Sequence, residues 1–183
     1  MQAPSVLPAP IDDGACDHLP GLTLPAIALP STAGRFVDLD KLEAVRTVIY
    51  CYPMTGVPGV PLPEGWDVIP GARGCTPQAC AFRDHYRELA SFAAQLFGLS
   101  AQTIDYQREM AGRLHLPFEV LSDAGFAFTN ALKLPTFEAA GMRLIKRLTL
   151  IIRKNTIETV LYPVFPPGES ADQTLAWLKQ HPL

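Results

Sequence analysis

Two cysteines five positions apart are the side chains of this 183-residue sequence with the clearest capacity for chemistry. Cys75 and Cys80 lie in the segment GCTPQACAFRD, in which Pro77 marks the start of a helix. On a helix, residues at this spacing are about 140° apart around the axis, and their Cα atoms are roughly 8.6 Å apart. A disulfide needs Cα atoms within about 7 Å. The spacing therefore indicates a redox pair that can bond only if the first helical turn unwinds.

The two thiols differ in their sequence surroundings. Cys75 is predicted at the helix N-terminus, where unpaired N–H groups and the helix dipole favour an anion, and Arg73 is close in sequence. Cys80 follows more than one turn later, among alanine and phenylalanine residues that do not stabilise a thiolate. This asymmetry predicts that Cys75 is the nucleophile and that Cys80 resolves the product.

Two other interpretations of the cysteines are open. Both could be small buried helix residues without a redox function, which is common for an isolated cysteine but less so for a pair at a helix start. A zinc site needs four ligands, and Cys16, Cys51 and the four histidines provide no second ligand pair. We therefore expect neither a metal ion nor another cofactor.

The rest of the sequence predicts the elements that position this segment. Residues 1–20 are rich in proline and lack lysine and arginine, which indicates an extended, mobile N-terminal arm that includes Cys16. Residues 21–183 are expected to form one domain. A long loop from Thr55 to Gly74, with four prolines and five glycines, delivers the chain to Cys75.

Apolar patterns place strands and helices around that loop. They predict two short strands beside a turn at residues 31–34, a buried central strand before Pro53, and a β-hairpin around residues 154–155. Helices and strands alternate between residues 76 and 134, and a last helix has Ser170 as its N-cap. This order predicts an α/β fold with a mixed central sheet flanked by helices.

Composition and charge exclude several classes of protein. The net charge is −3 with a pI near 5.8, and the scattered basic residues do not form the patch of a nucleic-acid binder. No apolar run reaches the roughly 20 residues that a membrane span requires. The first basic residue is Arg35, so the N-terminus lacks the positive region of a secretory signal. We expect a cytoplasmic protein with a small-molecule substrate and with no nucleic-acid or membrane partner.

Several motifs of the chain are similar to those of a known family. They are Tyr52-Pro53, the segment GCTPQACAFRD, the triplet at residues 121–123 and the segment RLTLII from Arg147. Over residues 22–178 the chain resembles the peroxiredoxins, specifically the bacterioferritin-comigratory or Q-type branch of the alkyl hydroperoxide reductase and thiol-specific antioxidant superfamily. The resemblance implies a thioredoxin-like fold and the reduction of hydrogen peroxide or organic hydroperoxides.

The resemblance also implies a catalytic cycle. Cys75 would be the peroxidatic cysteine and Cys80 the resolving cysteine of an intramolecular disulfide. Thioredoxin or a similar dithiol protein would be the reductant, and the protein would be a monomer or a weak homodimer. Two other functions stay open, namely a thiol–disulfide oxidoreductase, for which a C-x-x-C spacing is usual, and a redox-sensing module with little peroxide turnover.

Two further residues enter the site through the resemblance. In the family an arginine late in the sheet contacts the peroxidatic sulfur and the peroxide, and Arg147 matches it. On its predicted strand, Arg147 points to the face opposite Leu148 and can therefore face a site. Without the resemblance, a solvent-exposed charge on the strand would be the simpler interpretation. The family motif P-x-x-x-T-x-x-C requires a proline and a threonine where this chain has Val68 and Ala72. Thr55, ahead of the inserted loop, is expected to fold back and supply the hydroxyl; the alternative is an ordinary loop threonine.

Overall fold

The computed structural model describes residues 7–183 of the chain. Within this range the helices are α1 (Cys75–Asp84), α2 (Tyr86–Ser91), α3 (Ile104–Arg113), α4 (Ala127–Leu132) and α5 (Ser170–Gln180). The strands are β1 (Ala28–Pro30), β2 (Phe36–Asp38), β3 (Arg46–Cys51), β4 (Ala94–Ser100), β5 (Glu119–Ser122), β6 (Thr136–Ala139), β7 (Met142–Ile145), β8 (Leu148–Arg153) and β9 (Thr156–Leu161). None of the helices between residues 7 and 183 is both long enough and apolar enough to cross a membrane.

The central sheet contains five strands in the order β5-β4-β3-β8-β9. β3 runs parallel to β4 and β4 parallel to β5, whereas β8 pairs antiparallel with both β3 and β9. The sheet is therefore mixed, with β3 at its centre, and the predicted α/β fold is confirmed. The predicted hairpin around residues 154–155 is also present, since Lys154 and Asn155 both have positive φ and join β8 to β9.

Helices cover both faces of the sheet, which explains the continuous apolar runs in its inner strands. Along β8, Leu148 and Leu150 belong to the core that includes α4, whereas Ile151 belongs to the core that includes α1 and α5. Full burial of one such side chain contributes roughly 1.5–3 kcal/mol to folding. The sheet is thus a rigid frame that holds the end of β3 and the start of β8 beside α1.

Three features of the fold differ from the sequence prediction. The hairpin of β6 and β7 is not predicted, because Ala140 occupies a left-handed turn position (φ 49°) where asparagine or glycine usually gives the signal. The helix after Cys75 is interrupted at His85, which has φ −96° and ψ 7°. Ser170 has helical φ and ψ (−58°, −40°) and lies inside α5, so its prediction as an N-cap is wrong.

The second half of the predicted N-terminal arm packs against the domain. Cys16 is 5% exposed and Leu19 is fully buried, both in the core formed by β3, β8 and α4. Asp13 accepts hydrogen bonds from Tyr162 Oη (2.7 Å) and Lys146 Nζ (2.8 Å). The prediction of a mobile arm is wrong for these residues, since two buried side chains in an irregular segment produce no visible periodicity. Residues 1–6, which the same prediction includes, lie outside the described residues.

Candidate active site

Cys75 is the first residue of α1, at a turn that only glycine accommodates well. Gly74 has φ 106°, a left-handed conformation that is unfavourable for residues with a Cβ atom. A Cβ at this position would also lie 2.6 Å from Cγ of Pro167. Cys75 is buried at the N-terminal end of the helix, with 3% of its surface exposed. A sulfur anion at this point would face the positive end of the helix dipole.

Arg147 reaches Cys75 from the position immediately before β8, so its prediction as a strand residue is wrong. Its Nη2 atom lies 3.2 Å from Sγ of Cys75 and 3.1 to 3.3 Å from the carbonyl oxygens of residues 71–73. The Cys75 thiol lies 3.6 Å from the carbonyl oxygen of Ala72, to which it can donate. Arg147 is 3% exposed, so the solvated charge considered above does not describe it. A guanidinium stays charged at all ordinary pH values and therefore places a fixed positive charge beside the sulfur.

Gln78 is a site residue that the sequence analysis missed. It is fully buried, and its Oε1 atom accepts a hydrogen bond from Nη1 of Arg147. Its Nε2 atom donates a hydrogen bond to Oγ of Ser170 at 3.1 Å. Ser170 therefore accepts this hydrogen bond and does not cap α5. The signal available in the sequence is spacing, because a residue three positions after Cys75 shares its face of the helix.

Cys80 lies on the same continuous helix as Cys75 and is half-buried. Both thiols are free, as are those of Cys16 and Cys51. Because α1 is helical from Cys75 to Asp84, the two thiols are held at the separation that the sequence predicts, roughly 8.6 Å between Cα atoms on an ideal helix. The pair cannot form a disulfide while this helix is intact.

The other two cysteines are in environments that disfavour a thiolate. Burial raises the pKa of the Cys16 thiol to about 12, and the nearby carboxylates Asp13 and Asp12 add to this effect. Burial likewise raises the pKa of the Cys51 thiol, which is inaccessible in β3. A thiolate is the reactive form of cysteine, so neither residue is a suitable nucleophile at neutral pH.

Thr55 is buried near the site and is held by a glutamine. Its backbone N and its Oγ1 atom lie 3.0 and 3.2 Å from Oε1 of Gln102, and Nε2 of Gln102 donates to the carbonyl oxygen of Thr55 at 3.2 Å. Thr55 and Cys75 line the same cavity. The loop threonine is therefore fixed in place beside the site, with its hydroxyl proton directed to Gln102 and its oxygen lone pairs able to accept.

Comparison with known proteins identifies the class to which this fold and site belong. A family model described as Redoxin matches residues 19–175. Peroxiredoxin Q, chloroplastic, from Sedum lineare is 31% identical over 160 residues, which cover 87% of this chain and 77% of that protein. The chloroplastic peroxiredoxin Q of Gentiana triflora is 28% identical over 98% of this chain and 77% of its own length.

Solved structures agree with these relatives. Peroxidoxin BcpB from Mycobacterium tuberculosis superposes with a TM-score of 0.72 and 25% identity, covering 91% of this chain and all of that one. Peroxiredoxin Q from Xanthomonas campestris has a TM-score of 0.69 and 23% identity over 87% of this chain and 96% of its own, which supports the shared fold. The fold is that of the thioredoxin-like peroxidases. The chain belongs to the redoxin family and, within it, to the Q-type peroxiredoxins, which are thiol-dependent peroxidases.

Proposed function

We propose that this protein reduces hydrogen peroxide and organic hydroperoxides through a sulfenic acid at Cys75 and a Cys75–Cys80 disulfide. The contact of 3.2 Å between Nη2 of Arg147 and Sγ of Cys75, at the first residue of α1, carries this proposal. A buried guanidinium and the positive end of a helix dipole both favour negative charge at one sulfur. At Cys16 and Cys51, by contrast, burial is the largest influence and raises the pKa of each thiol.

In the first step the Cys75 thiolate attacks the terminal oxygen of the hydroperoxide. A sulfur–oxygen bond forms while the oxygen–oxygen bond breaks, so the sulfur loses two electrons and becomes a sulfenic acid. The departing oxygen leaves as an alkoxide or hydroxide that takes up a proton to give an alcohol or water. Arg147 stabilises the charge that develops on this oxygen, and backbone N–H groups at Gly74 and Cys75 act as further donors.

Thr55 is the candidate for holding the peroxide. Because its hydroxyl hydrogen is directed to Gln102, its oxygen can accept a hydrogen bond from the hydroperoxide O–H group. In this arrangement Thr55 replaces the hydroxyl that the family motif supplies from a position nearer to the cysteine. Thr55 lines the cavity that contains Cys75, and this position supports the role.

In the second step Cys80 attacks the sulfur of the sulfenic acid. A disulfide forms and water leaves, so that no further oxidant is needed. This step requires the first turns of α1 to unwind, since the helical separation is too large for a disulfide. An external dithiol protein then reduces the disulfide by thiol–disulfide exchange. Thioredoxin or a similar protein as the reductant, a monomeric or weakly dimeric state and a cytoplasmic location remain predictions.

A coupled turnover assay tests this function against its two alternatives. Hydrogen peroxide, NADPH, thioredoxin reductase and thioredoxin are mixed with the protein, and continuous NADPH oxidation that the Cys75→Ser variant lacks is the expected result. A thiol–disulfide oxidoreductase would reduce insulin disulfides but would not consume peroxide. A redox sensor would be oxidised once, without turnover. Either outcome would overturn the proposal.

A further inference from the structure

A second cavity reaches Arg147 without reaching Cys75. It lies between the N-terminal arm, residues 69–71 of the inserted loop and the residues that precede β8, and we call it the arm cavity. Its volume is about 390 Å³, within the range of roughly 300–1,000 Å³ found for small-molecule sites. Arg147 lines it, whereas Cys75 and Thr55 line a different cavity. A ligand in the arm cavity can therefore contact Arg147 and leave the place of the peroxide open.

One hydrogen-bond donor of Arg147 is unused although the side chain is buried. The two terminal nitrogens of the guanidinium contact Gln78, Cys75 and the carbonyl oxygens of residues 71–73. The Nε atom, in contrast, is buried and makes no hydrogen bond to any of residues 7–183. A buried donor without a partner is unfavourable. The arm cavity therefore favours a ligand that brings a hydrogen-bond acceptor to Nε.

Lys146 provides a second donor and determines which charge fits the cavity. Of the three N–H donors of its ammonium group, one points to Oδ2 of Asp13 (2.8 Å) and one to Oη of Tyr162 (3.4 Å). One N–H is left for a ligand. Asp13 also lines the arm cavity, but the positive charge of Lys146 offsets its carboxylate. While Cys75 is a thiol, the charge of Arg147 is in excess, so the cavity favours a ligand with one negative charge.

Most of the remaining wall is apolar. The side chains that form it are Pro10, Ile11, Ile69, Pro70, Phe137 and Pro163. The arm lies directly on the inserted loop, since a Cβ added to Gly71 would be 3.5 Å from Cβ of Pro10. Two donors beside an apolar wall suit one carboxylate group on an apolar body. A phosphate or sulfate has more acceptor oxygens than these donors can satisfy and gains nothing from the wall.

We propose that the arm cavity binds a small monocarboxylate with an apolar body, and that the bound carboxylate slows peroxide attack at Cys75. The carboxylate accepts hydrogen bonds from Nε of Arg147 and Nζ of Lys146, and the apolar body lies against the proline-rich wall. Its negative charge offsets that of the guanidinium, which then stabilises the Cys75 thiolate and the departing oxygen less. The binding goes beyond the proposed function, and only its effect on peroxide attack rests on that function.

Calorimetric titration with hexanoate tests the binding. The titrated proteins are the reduced wild type and Cys75→Ser, which cannot form a thiolate, and hexanoate should bind saturably to both. Hexanamide, which lacks the charge, and acetate, which lacks the apolar body, are the matched control ligands. Each should bind at least about tenfold more weakly than hexanoate, the lower end of the range for a missing apolar contact. Absence of hexanoate binding to both proteins would overturn the proposed site.

The Ile11→Glu variant tests where hexanoate binds. Ile11 lines the arm cavity and is 84% exposed, so the replacement adds a negative charge there and should not unfold the domain. We expect about fivefold weaker binding, the upper end of the effect of one surface charge pair. Val45→Glu is the matched control, because Val45 is 46% exposed and lines neither cavity. Equal affinities of Ile11→Glu and wild type for hexanoate would show that it binds elsewhere.

Stopped-flow kinetics test the effect on Cys75. Saturating hexanoate should lower the second-order rate constant for Cys75 oxidation by hydrogen peroxide about tenfold, within the roughly 5- to 150-fold range of coupling between two sites. Hexanamide at the same concentration should leave the rate constant unchanged. An unchanged rate constant with hexanoate bound would overturn the coupling. If peroxide did not oxidise Cys75 even without hexanoate, the proposed peroxidase function would be wrong, while hexanoate binding to Cys75→Ser would still support the site.

Discussion

Gln78 holds the guanidinium of Arg147 from the same helix that presents Cys75. One end of the guanidinium donates to the Gln78 amide, and the other lies 3.2 Å from the sulfur. Because the amide also donates to Ser170, it ties α1, α5 and the start of β8 together. The charge at the sulfur therefore depends on a neutral residue that does not itself touch the sulfur.

Replacing Gln78 should slow peroxide attack through Arg147. In Gln78→Ala the guanidinium loses one of its anchors, and a shift of about 1 Å can cost on the order of 100-fold in rate. We expect a 10- to 100-fold smaller second-order rate constant for Cys75 oxidation, measured by stopped flow. Gln78→Glu keeps an acceptor for Arg147 but offsets its positive charge and loses the donor to Ser170, so this variant should be at least as slow as Gln78→Ala. A rate constant in Gln78→Ala equal to that of the wild type would rule out the positioning role.

Arg147→Ala should reduce the rate of Cys75 oxidation by roughly 100- to 1,000-fold, the usual effect of removing one donor that stabilises developing charge. Arg147→Lys is the matched control, since it keeps the positive charge but not the planar fork that contacts both Gln78 and Cys75. Its rate should lie between those of the other two proteins. A rate constant in Arg147→Ala equal to that of the wild type would rule out the proposed role.

Serine variants of Cys75 and Cys80 should separate peroxide attack from disulfide formation. Cys75→Ser should not react with peroxide, whereas Cys80→Ser should be oxidised once and should accumulate a sulfenic acid that dimedone traps. Peptide mass spectrometry locates the adduct. The high pKa values of Cys16 and Cys51 predict no adduct at either residue, and an adduct there with Cys75 unmodified would contradict the assignment.

Oxidation should unfold the start of α1. The ring of Phe82 stacks on that of Tyr50 with a centroid distance of 4.4 Å, so unwinding this helix removes a contact with the sheet. Amide hydrogen exchange in residues 74–81 should therefore be faster in the disulfide form than in the dithiol form. α3 (Ile104–Arg113) serves as an internal control, where no change is expected. Equal protection of residues 74–81 in both forms would exclude Cys80 as the partner of Cys75.

The contact between the N-terminal arm and the domain should weaken in acid. Hydrogen bonds from Lys146 and Tyr162 lower the pKa of Asp13 from its ordinary value of 3.8 to about 2. Since the folded-state pKa is the lower one, the contribution to stability is fully present above about pH 4 and is lost as the pH falls to 2. Asp13→Asn should therefore have a lower Tm than the wild type at pH 6, and this difference should be much smaller at pH 2.

Thermal denaturation followed by circular dichroism measures this difference. Glu64→Gln is a suitable control, because Glu64 is exposed and makes no side-chain hydrogen bond or ion pair within residues 7–183. Its Tm should follow that of the wild type at both pH values. A Tm difference for Asp13→Asn that is the same at pH 2 and pH 6 would mean that the ion pair with Lys146 is not its cause.

The sequence predicts the parts of this protein that depend on local rules. The alternation of strands and helices, the helix start at Cys75 and the turn at Lys154 and Asn155 follow from periodicity and turn chemistry, and they are confirmed. The hydrogen bond from Gln78 to Ser170 could not be predicted, because the two residues are 92 positions apart in the sequence. Neither residue type is unusual on a helix, so the sequence carries no signal for the pair. The hydrogen bond between Thr55 and Gln102 could not be predicted for the same reason.

The buried part of the N-terminal arm illustrates a different limit. Its proline content and lack of regular structure are typical of a disordered segment. Cys16 and Leu19 are nevertheless buried, because the domain provides a complementary surface that composition does not encode. A tertiary contact of this kind becomes visible only when the whole fold is known.

The position of Trp66 gives the protein an optical signal for its own redox state. The sequence contains two tryptophans, and Trp66 lines the cavity that contains Cys75. Trp177 lies on α5, stacked on His181 at 4.1 Å and beneath the guanidinium of Arg46, and it packs against the core to which α1 contributes. Unwinding of α1 should change the surroundings of Trp66, so intrinsic fluorescence should follow the catalytic cycle without a label. In Trp177→Phe, the emission of Trp66 would be the only tryptophan signal.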